Sequence, residues 1–264
     1  MKTEPLARFP QTSAAVAEFH YLEHTESTNS VMAAGDSWPP FAMVVTEDQT
    51  AGRGRLGRTW INRPGESVAF SLLVPPLAGL SPTWVPLLAG ACLVQALRDA
   101  GLSGVGLKWP NDVLVEEKKL AGVLCEMHLP GGVIVGVGLN RHFAGERPSD
   151  GAIALAECMP VDDATVDAIM AGFVERLRGW QTLGQTGART SGQPGAQTVG
   201  PAEAHAYVSG TLVSAKRAVE VVPVAGASWR GVAQGLNVNG HLIVRTREGV
   251  DIEIVAADVH HLYQ

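Results

Sequence analysis

The sequence predicts an α+β fold: a mixed, mainly antiparallel sheet with helices set among its strands, then a small C-terminal β-barrel of the SH3-like kind. Three observations predict it. Between 105 and 139, short apolar runs are joined by tight turns with no helix between them, the pattern of an antiparallel meander. Val166, Ile169, Met170, Phe173, Leu177 and Trp180 recur at helical spacing. After residue 206 only short β segments remain, over 207–213, 218–224, 228–235, 241–247 and 250–255.

The elements follow in order. Ser27-Thr28-Asn29 precedes Val31-Met32-Ala33-Ala34, so a capped short helix is expected, ended by Gly35. Residues 41–47 read as a strand and 50–59 as a loop. From Ser67 to Val74, alternate residues Val68, Phe70, Leu72 and Val74 share one face of a strand. Ser81-Pro82 reads as an N-cap with proline at the first helical position, opening an apolar helix toward Gly101. Strands at 105–109 and 112–115 flank a Pro-Asn kink, and 116–119 is a polar turn. Strands at 120–127 and 133–139 are joined by Pro130-Gly131-Gly132. A helix over 164–180 ends the first domain. Gly, Gln, Thr, Ser and Ala then dominate, which reads as a mobile linker. The expected organisation is an N-terminal extension at 1–19, a catalytic domain at 20–181, a linker at 182–204 and the small barrel at 205–264.

Composition excludes several classes. Apolar residues make up 46% of 264, enough for a sizeable core, so wholesale disorder is excluded. Lys+Arg number 20 against 26 Asp+Glu, a formal charge of −6, which argues against a general nucleic-acid binder. Cys92, Cys125 and Cys158 form no CxxC pair, so neither a disulfide framework nor a zinc site is expected. No apolar leader is evident near Met1, and the apolar stretch within 84–97 is too short to span a bilayer. A cytoplasmic protein without membrane contact fits these features.

The chemistry concentrates in three places. Gly52-Arg53-Gly54-Arg55-Leu56-Gly57-Arg58 places three guanidinium forks on a backbone able to approach a ligand closely. Such a loop can cradle a carboxylate and a phosphate; read alone, it is equally a solvated basic loop, and it lacks the P-loop pattern. Lys108-Trp109-Pro110-Asn111-Asp112 forms a rigid corner, because proline pushes Trp109 toward an extended conformation. Its lysine could stabilise developing negative charge, and its carboxylate could hold Mg²⁺. A solvated hairpin corner is the plainer reading. Gly136 and Gly138 sit inside a strand, where glycine marks a bulge or the close approach of another group. Lys119 opens a strand, where an edge-protecting lysine is common. The histidines show no metal-ligand spacing apart from the pair His260-His261, and no paired carboxylates or Gly-x-Ser-x-Gly elbow indicate a hydrolase.

Taken in order, Ser27-Thr28-Asn29, the run from Gln49 to Trp60, the run from Lys108 to Val113, Lys119-Leu120-Ala121-Gly122-Val123 and Gly136-Val137-Gly138-Leu139-Asn140 resemble biotin–protein ligases (biotin–[acetyl-CoA-carboxylase] ligases). Each segment is weak alone; five in this order are specific. The resemblance is close over about 20–143 and looser beyond. It implies a catalytic domain related to class II tRNA synthetases, with an SH3-like domain after it. It also implies two steps: biotin and ATP give biotinyl-5′-AMP and pyrophosphate, and a lysine of a biotin carboxyl carrier domain then takes the biotinyl group, releasing AMP.

Carried over by the resemblance, Lys108 and Arg55 are the catalytic residues. Ser27, Thr28, Asn29, Gln49, Gly52, Arg53, Gly54, Arg55, Lys108, Gly122, Gly136 and Gly138 bind biotin. Arg53, Arg58, Trp60, Asn111, Lys119 and Asn140 bind ATP and the adenylate, and Asp112 is assigned to Mg²⁺. The strand at 120–124 would supply an apolar wall for the ring and valeryl chain. Some relatives carry an N-terminal helix-turn-helix domain; about nineteen residues precede the catalytic region here, so direct DNA binding is not expected. Homodimerisation is left open. The loop 141–151 offers Phe143 as its one aromatic for stacking on adenine. A lipoate–protein ligase is the nearest rival, followed by a non-catalytic biotin sensor. An RNA-binding module conflicts with the net charge and with the aromatic content of 6%.

Overall fold

The computed structural model describes residues 7–35, 37–77, 79–129, 131–189 and 200–262. The first six residues of the expected extension, Pro130 of the hairpin turn and residues 190–199 of the expected linker lie outside them.

Seven strands form the main sheet: β1 (Glu18–Leu22), β2 (Ala42–Thr46), β5 (Ser67–Val74), β6 (Val105–Lys108), β7 (Asp112–Val115), β8 (Lys118–Met127) and β9 (Val133–Asn140). Their order is β1-β2-β5-β9-β8-β7-β6. Only β1 and β2 pair in parallel; every other neighbour is antiparallel. The two strands missing from the list, β3 (Gly52–Arg53) and β4 (Thr59–Trp60), make a separate small ribbon across the Gly/Arg loop. The α+β expectation therefore holds.

Among the described residues, the helices that accompany the strands are α1 (Pro10–Ala15), α2 (Thr28–Ala34), α3 (Val85–Asp99), α4 (Asp163–Arg189) and α5 (Pro201–Ser209). Ser27 caps α2 as its sequence predicts, its side chain accepting from the backbone of Ser30, and Gly35 follows as the C-cap. Ser81 caps a short 3-10 turn, Pro82–Trp84, and α3 continues directly from it. Helix α3 is buried over nearly all its length, because the sheet, α4 and α5 all pack on it. A helix buried all round reads as continuously apolar, with no marked stripe.

Sheet alternation divides the molecule. Val68, Phe70, Leu72 and Val74 of β5 and Val133, Val135, Val137 and Leu139 of β9 point into the main core with α3 and α4. The opposite face, at Leu73 and Ile134, packs a smaller cluster with Met32 of α2. The rest of that second face is where small and polar residues collect.

Several elements differ from the sequence reading. The body begins earlier than residue 20: Phe9 is fully buried, and the Arg8 guanidinium bonds Glu47 at 2.7 Å and Asp163 at 3.0 Å. Arg141 reaches the same two acids at 3.1 and 2.7 Å, which closes a ring of two arginines and two carboxylates. Helix α4 runs past residue 180 into the expected linker. The strand expected at 207–213 is replaced by α5, which starts at Gly200–Pro201 with Glu203 accepting from the Gly200 N–H at 2.9 Å. Ala204 and Val208, four apart, are its buried face. β1 and the last strand were not foreseen.

The C-terminal unit holds β10 (Ala218–Pro223), β11 (Trp229–Leu236), β12 (Leu242–Arg245), β13 (Asp251–Ile254) and β14 (Ala257–His261), in the order β13-β12-β11-β10-β14. It is an antiparallel five-stranded sheet whose end strands, β13 and β14, do not pair among the described residues, so the expected closed barrel is not found.

This unit is bonded to the edge of the main sheet. Backbone bonds of 2.8 Å join Leu107 to Thr211 and Val213. Gly106 makes this approach feasible, since a Cβ there would lie 2.2 Å from Val213. The Trp109 indole donates to the Gly240 carbonyl at 3.2 Å. A buried relay completes the joint. The His261 ring bonds Glu117 through Nδ1 at 2.6 Å and Ser214 Oγ through Nε2 at 3.1 Å, and Ser214 Oγ accepts the Trp109 N–H at 3.0 Å. Neutral His261 satisfies every member: Nδ1–H donates to Glu117, and the Ser214 hydroxyl donates to Nε2. Burial lowers the His261 pKa, against the pull of Glu117.

A folded-state histidine pKa below its unfolded value contributes stability above about pH 6.5 that is lost as pH falls through the folded value. The melting temperature should therefore drop on going from neutral pH to pH 5. The drop should be smaller in His261→Asn, measured by calorimetry against wild type.

Candidate active site

The second face of the main sheet builds one cavity. Cross-strand pairing aligns Ala69, Gly138 and Gly122 in one row and Ser71, Gly136 and Leu124 in the next, across β5, β9 and β8. These rows form the cavity floor, and the glycines give it depth. A Cβ at Gly136 would lie 2.1 Å from Asn29 Oδ1, and one at Gly138 would lie 2.3 Å from the Trp60 ring. The glycine pair inside a strand therefore marks close approach, one of the two options the sequence left open.

The end of the cavity near α2 is a dense hydrogen-bond network. Thr28 N–H donates to Gln49 Oε1 at 2.9 Å. The Ser71 hydroxyl lies 2.8 Å from Thr28 Oγ1 and 2.6 Å from Asn29 Oδ1. Asn29 Nδ2 donates to Glu126 Oε2 at 2.7 Å. Ser27, Thr28, Asn29, Gln49 and Ser71 are all buried. Buried polar groups hold fixed orientations when their bonds are made, so this end is pre-organised.

The Gly/Arg loop covers the cavity, held by carboxylates. Arg53 pairs with Glu126 at 2.8 Å. Arg58 pairs with Asp258 of β14, and Arg55 lies 4.0 Å from the same carboxylate while donating to Asn111 Oδ1 at 3.3 Å. Burial lowers the Arg55 pKa from its ordinary value. The loop turns through Leu56 at φ 55° and Gly57 at φ 75°, both in the left-handed region, which glycine adopts freely at the second.

The Lys-Trp-Pro-Asn-Asp corner is the β6–β7 hairpin, with Lys108 opposite Asp112. Trp109 is buried and anchored by Ser214 and Gly240, so the corner is fixed from behind. Asn111 Nδ2 donates to the Val123 carbonyl at 2.8 Å. Asp112 pairs with Lys119 at 2.6 Å. Lys119 Nζ also sits 5.6 Å from the Trp60 ring centre. Lys108 has no ion pair among the described residues, and burial is the main cause that lowers its pKa. A half-buried cation with no committed partner is suited to an incoming anion. The indole Nε1 of Trp60 is buried with no hydrogen-bond partner among the described residues.

Of the residues expected at the site, Ser27, Thr28, Asn29, Gln49, Arg53, Gly54, Arg55, Arg58, Trp60, Lys108, Asn111, Asp112, Lys119, Gly122, Gly136 and Gly138 line this one cavity. Two do not. Gly52 lies behind it, where a Cβ would meet the Trp60 carbonyl at 2.4 Å. Asn140 spends its amide on the Lys119 and Ile153 carbonyls, at 3.2 and 3.1 Å, and ties the end of β9 to its neighbours. Phe143 also lies away from the cavity, under Arg147. Sequence reasoning missed Ser71, Glu126 and Asp258. Ser71 and Glu126 could have been found from strand alternation, which puts them on the same face as Gly136 and Leu124. Nothing local marks Asp258.

Residues 21–140, which carry every residue the sequence assigns to the site, match the biotin/lipoate A/B protein ligase family. The bifunctional ligase/repressor BirA of Bacillus subtilis is 29% identical over 253 residues, 90% of this chain and 71% of that protein. The biotin–[acetyl-CoA-carboxylase] ligase of Mycobacterium tuberculosis is 29% identical over 254 residues, covering 91% of this chain and 88% of that one. In fold, the chain is similar to a biotin protein ligase from Aquifex aeolicus solved in complex with biotin and ATP. The TM-score is 0.74 at 24% identity, over 93% of this chain and all of that one. The similarity in fold thus extends into the C-terminal unit, well past the residues that match the family model.

The Trp60–Gly138 contact is testable. Gly138→Val should force the Trp60 indole out of the floor, shifting tryptophan fluorescence to longer wavelength while far-UV circular dichroism is kept. The same substitution in a Trp60→Phe background should give no such shift.

Proposed function

We propose that this protein is an ATP-dependent biotin–protein ligase that attaches biotin to a lysine of a biotin carboxyl carrier domain through biotinyl-5′-AMP. The observation that carries the proposal is the single cavity in which three cationic segments converge on a pre-organised polar end. The Mycobacterium tuberculosis relative is a biotin–[acetyl-CoA-carboxylase] ligase and the Bacillus subtilis one a bifunctional ligase/repressor, and the similarity to them runs over nine-tenths of the chain. A lipoate ligase would need the same adenylating chemistry, but the Mycobacterium tuberculosis match, over 91% of this chain, is to a biotin ligase.

In the first step a carboxylate oxygen of biotin attacks the α-phosphorus of ATP, and the bond to pyrophosphate breaks. Both reactants are anions, so uncompensated repulsion opposes their approach. Lys108, Arg55 and Arg58 supply the opposing charge from fixed positions. Arg53, Arg55 and Arg58 exchange their carboxylate partners for the ligand's oxygens, and Lys108 needs no exchange. In the second step a carrier lysine amine attacks the mixed anhydride carbonyl, and AMP leaves.

Biotin occupies the end framed by Ser27, Thr28, Asn29 and Gln49, over Gly136 and Gly138, with Leu124 as the apolar wall. The nucleotide lies toward Trp60, Asn111 and Lys119. The unmatched Trp60 N–H is a donor left for it, since an unpaired buried donor costs about 1–3 kcal/mol. Mg²⁺ fits this site only in part. Among the described residues no three acidic, His or Cys side chains cluster to hold a metal. Asp112 would offer one carboxylate and the phosphates the remaining oxygens, a common arrangement for this ion. When bound it would neutralise phosphate charge. The C-terminal sheet, open as described, is proposed as a variant of the family's SH3-like domain. The functional boundary between the domains is proposed to lie near the start of α5.

Mass spectrometry after incubation with ATP, Mg²⁺ and either biotin or lipoate tests the substrate. Biotinyl-AMP from biotin alone, passed on to an added carrier domain, is expected; adenylate from lipoate alone would overturn the assignment. Lys108→Ala should cut adenylate formation by about 100-fold or more, the scale of losing a key electrostatic donor, with the thermal melt unchanged. Because the Lys108 pKa is lowered, the alkaline limb of pyrophosphate release in wild type should lie below the free-lysine range near 10.4. Arg55→Ala should speed escape of the adenylate, read by its transfer to a rapidly quenched trap.

A further inference from the structure

We infer that Glu126 is a positioning residue that ties the biotin end of the cavity to the Gly/Arg loop; this rests on the ligase reading above. Glu126 follows Leu124 by two residues on β8, so both point to the cavity face. One oxygen, Oε2, receives both the Asn29 amide at 2.7 Å and the Arg53 guanidinium at 2.8 Å. These donors come from different elements, the first turn of α2 and the loop strand β3.

The two contacts differ in kind. Asn29 is buried, and its amide must be held one way round. A carboxylate only accepts, so Glu126 demands the N–H₂ group and leaves Oδ1 for the Ser71 hydroxyl at 2.6 Å. That orientation puts Oδ1 over Gly136. The Arg53 contact is largely exposed, with side chains 45% and 31% accessible, and exposed pairs are weak. It therefore acts as a tether that a ligand anion can take over, not as a lock. Among the described residues it is the one ion pair Arg53 makes. Glu126 thus pre-orients a biotin-contacting amide and keeps the loop near its closed position before biotin arrives.

Two variants separate these roles. Glu126→Gln keeps an acceptor for Asn29 and removes the charge that holds Arg53. Glu126→Ala removes both. For Glu126→Ala, the biotin KM in adenylate synthesis should rise about tenfold or more, the scale of losing a hydrogen bond to a charged group. For Glu126→Gln, the biotin KM should stay within about threefold of wild type, and the adenylate should escape a few-fold faster, the scale of an exposed ion pair. Adding Arg53→Ala to Glu126→Gln should cause no further loss of pre-order, so the KM and escape effects should be less than additive. Should Glu126→Ala fail to fold, by melt and circular dichroism, the Gln cycle with Arg53→Ala still decides. Wild-type KM and escape rate in folded Glu126→Ala, or full additivity in the cycle, overturns the inference. A wild-type enzyme that forms no biotinyl adenylate overturns instead the reading on which it rests.

Discussion

A strand sends alternate residues to opposite faces, and the site depends on that rule more than on any single contact. In β5, β9 and β8 one set of residues builds the main core. The intervening set, Ala69, Ser71, Gly136, Gly138, Gly122 and Leu124, must then build the other face. That face could have been closed by large side chains, as it is at Leu73 and Ile134. Where the residues are glycine, alanine and serine it stays hollow, and α2 and Trp60 come down onto the strands. A one-residue slip of register would carry the valines into the cavity and the glycines into the core, so core packing and cavity shape are set by the same pairing.

Charge is organised on top of this floor. An acidic protein must hold three arginines and two lysines around one cavity without a ligand present. It does so by giving most of them a resident carboxylate: Glu126 for Arg53, Asp258 for Arg55 and Arg58, Asp112 for Lys119. These acids lower the cost of assembling the cations, and each is a weak enough partner to be exchanged. Lys108 lacks such a partner, and its pKa falls as burial dictates. The contrast fits a division of labour in which the loop arginines capture ligand and Lys108 meets the charge that develops.

Much of this was legible in the sequence, and the limits have physical causes. The capping Ser27, the β5 alternation and the β8–β9 hairpin rest on local rules, and they appear as read. So do the turn at the Gly/Arg loop and the kink at Pro110, because glycine and proline act on the local backbone. Strand β1 was hidden because its residues are only partly buried and its pairing partners in β2 lie 24 residues on, Glu18 opposite Ala42. The stretch after Trp180 looked like a linker because its residues are polar and small. Composition of that kind disfavours a buried element but does not forbid a helix, and α4 continues into it. Helix α5 shows the reverse error: Tyr207-Val208 reads as strand, but the Pro201 start, the Glu203 cap and the buried Ala204–Val208 spacing outweigh local β-propensity. Asn140 lies off the cavity lining because its amide is held by the Lys119 and Ile153 carbonyls, partners that nothing in its local sequence marks.

Asp258 marks the deeper limit. It lies two hundred residues from Arg58, in a segment whose local sequence carries no motif, yet it meets the centre of the Gly/Arg loop. Such a residue is found only through the joint that brings the C-terminal unit in: the Leu107 backbone bonds, Gly106, and the Glu117–His261–Ser214 relay behind Trp109. His261 closes that relay and Asp258 reaches the loop from the same short strand, β14. The joint that fixes the Lys108 corner from behind therefore also sets the carboxylate facing Arg55 and Arg58. Loosening either end of β14 would disturb both sides of the cavity at once, which makes the C-terminal sheet part of the site's geometry and not an appendage to it.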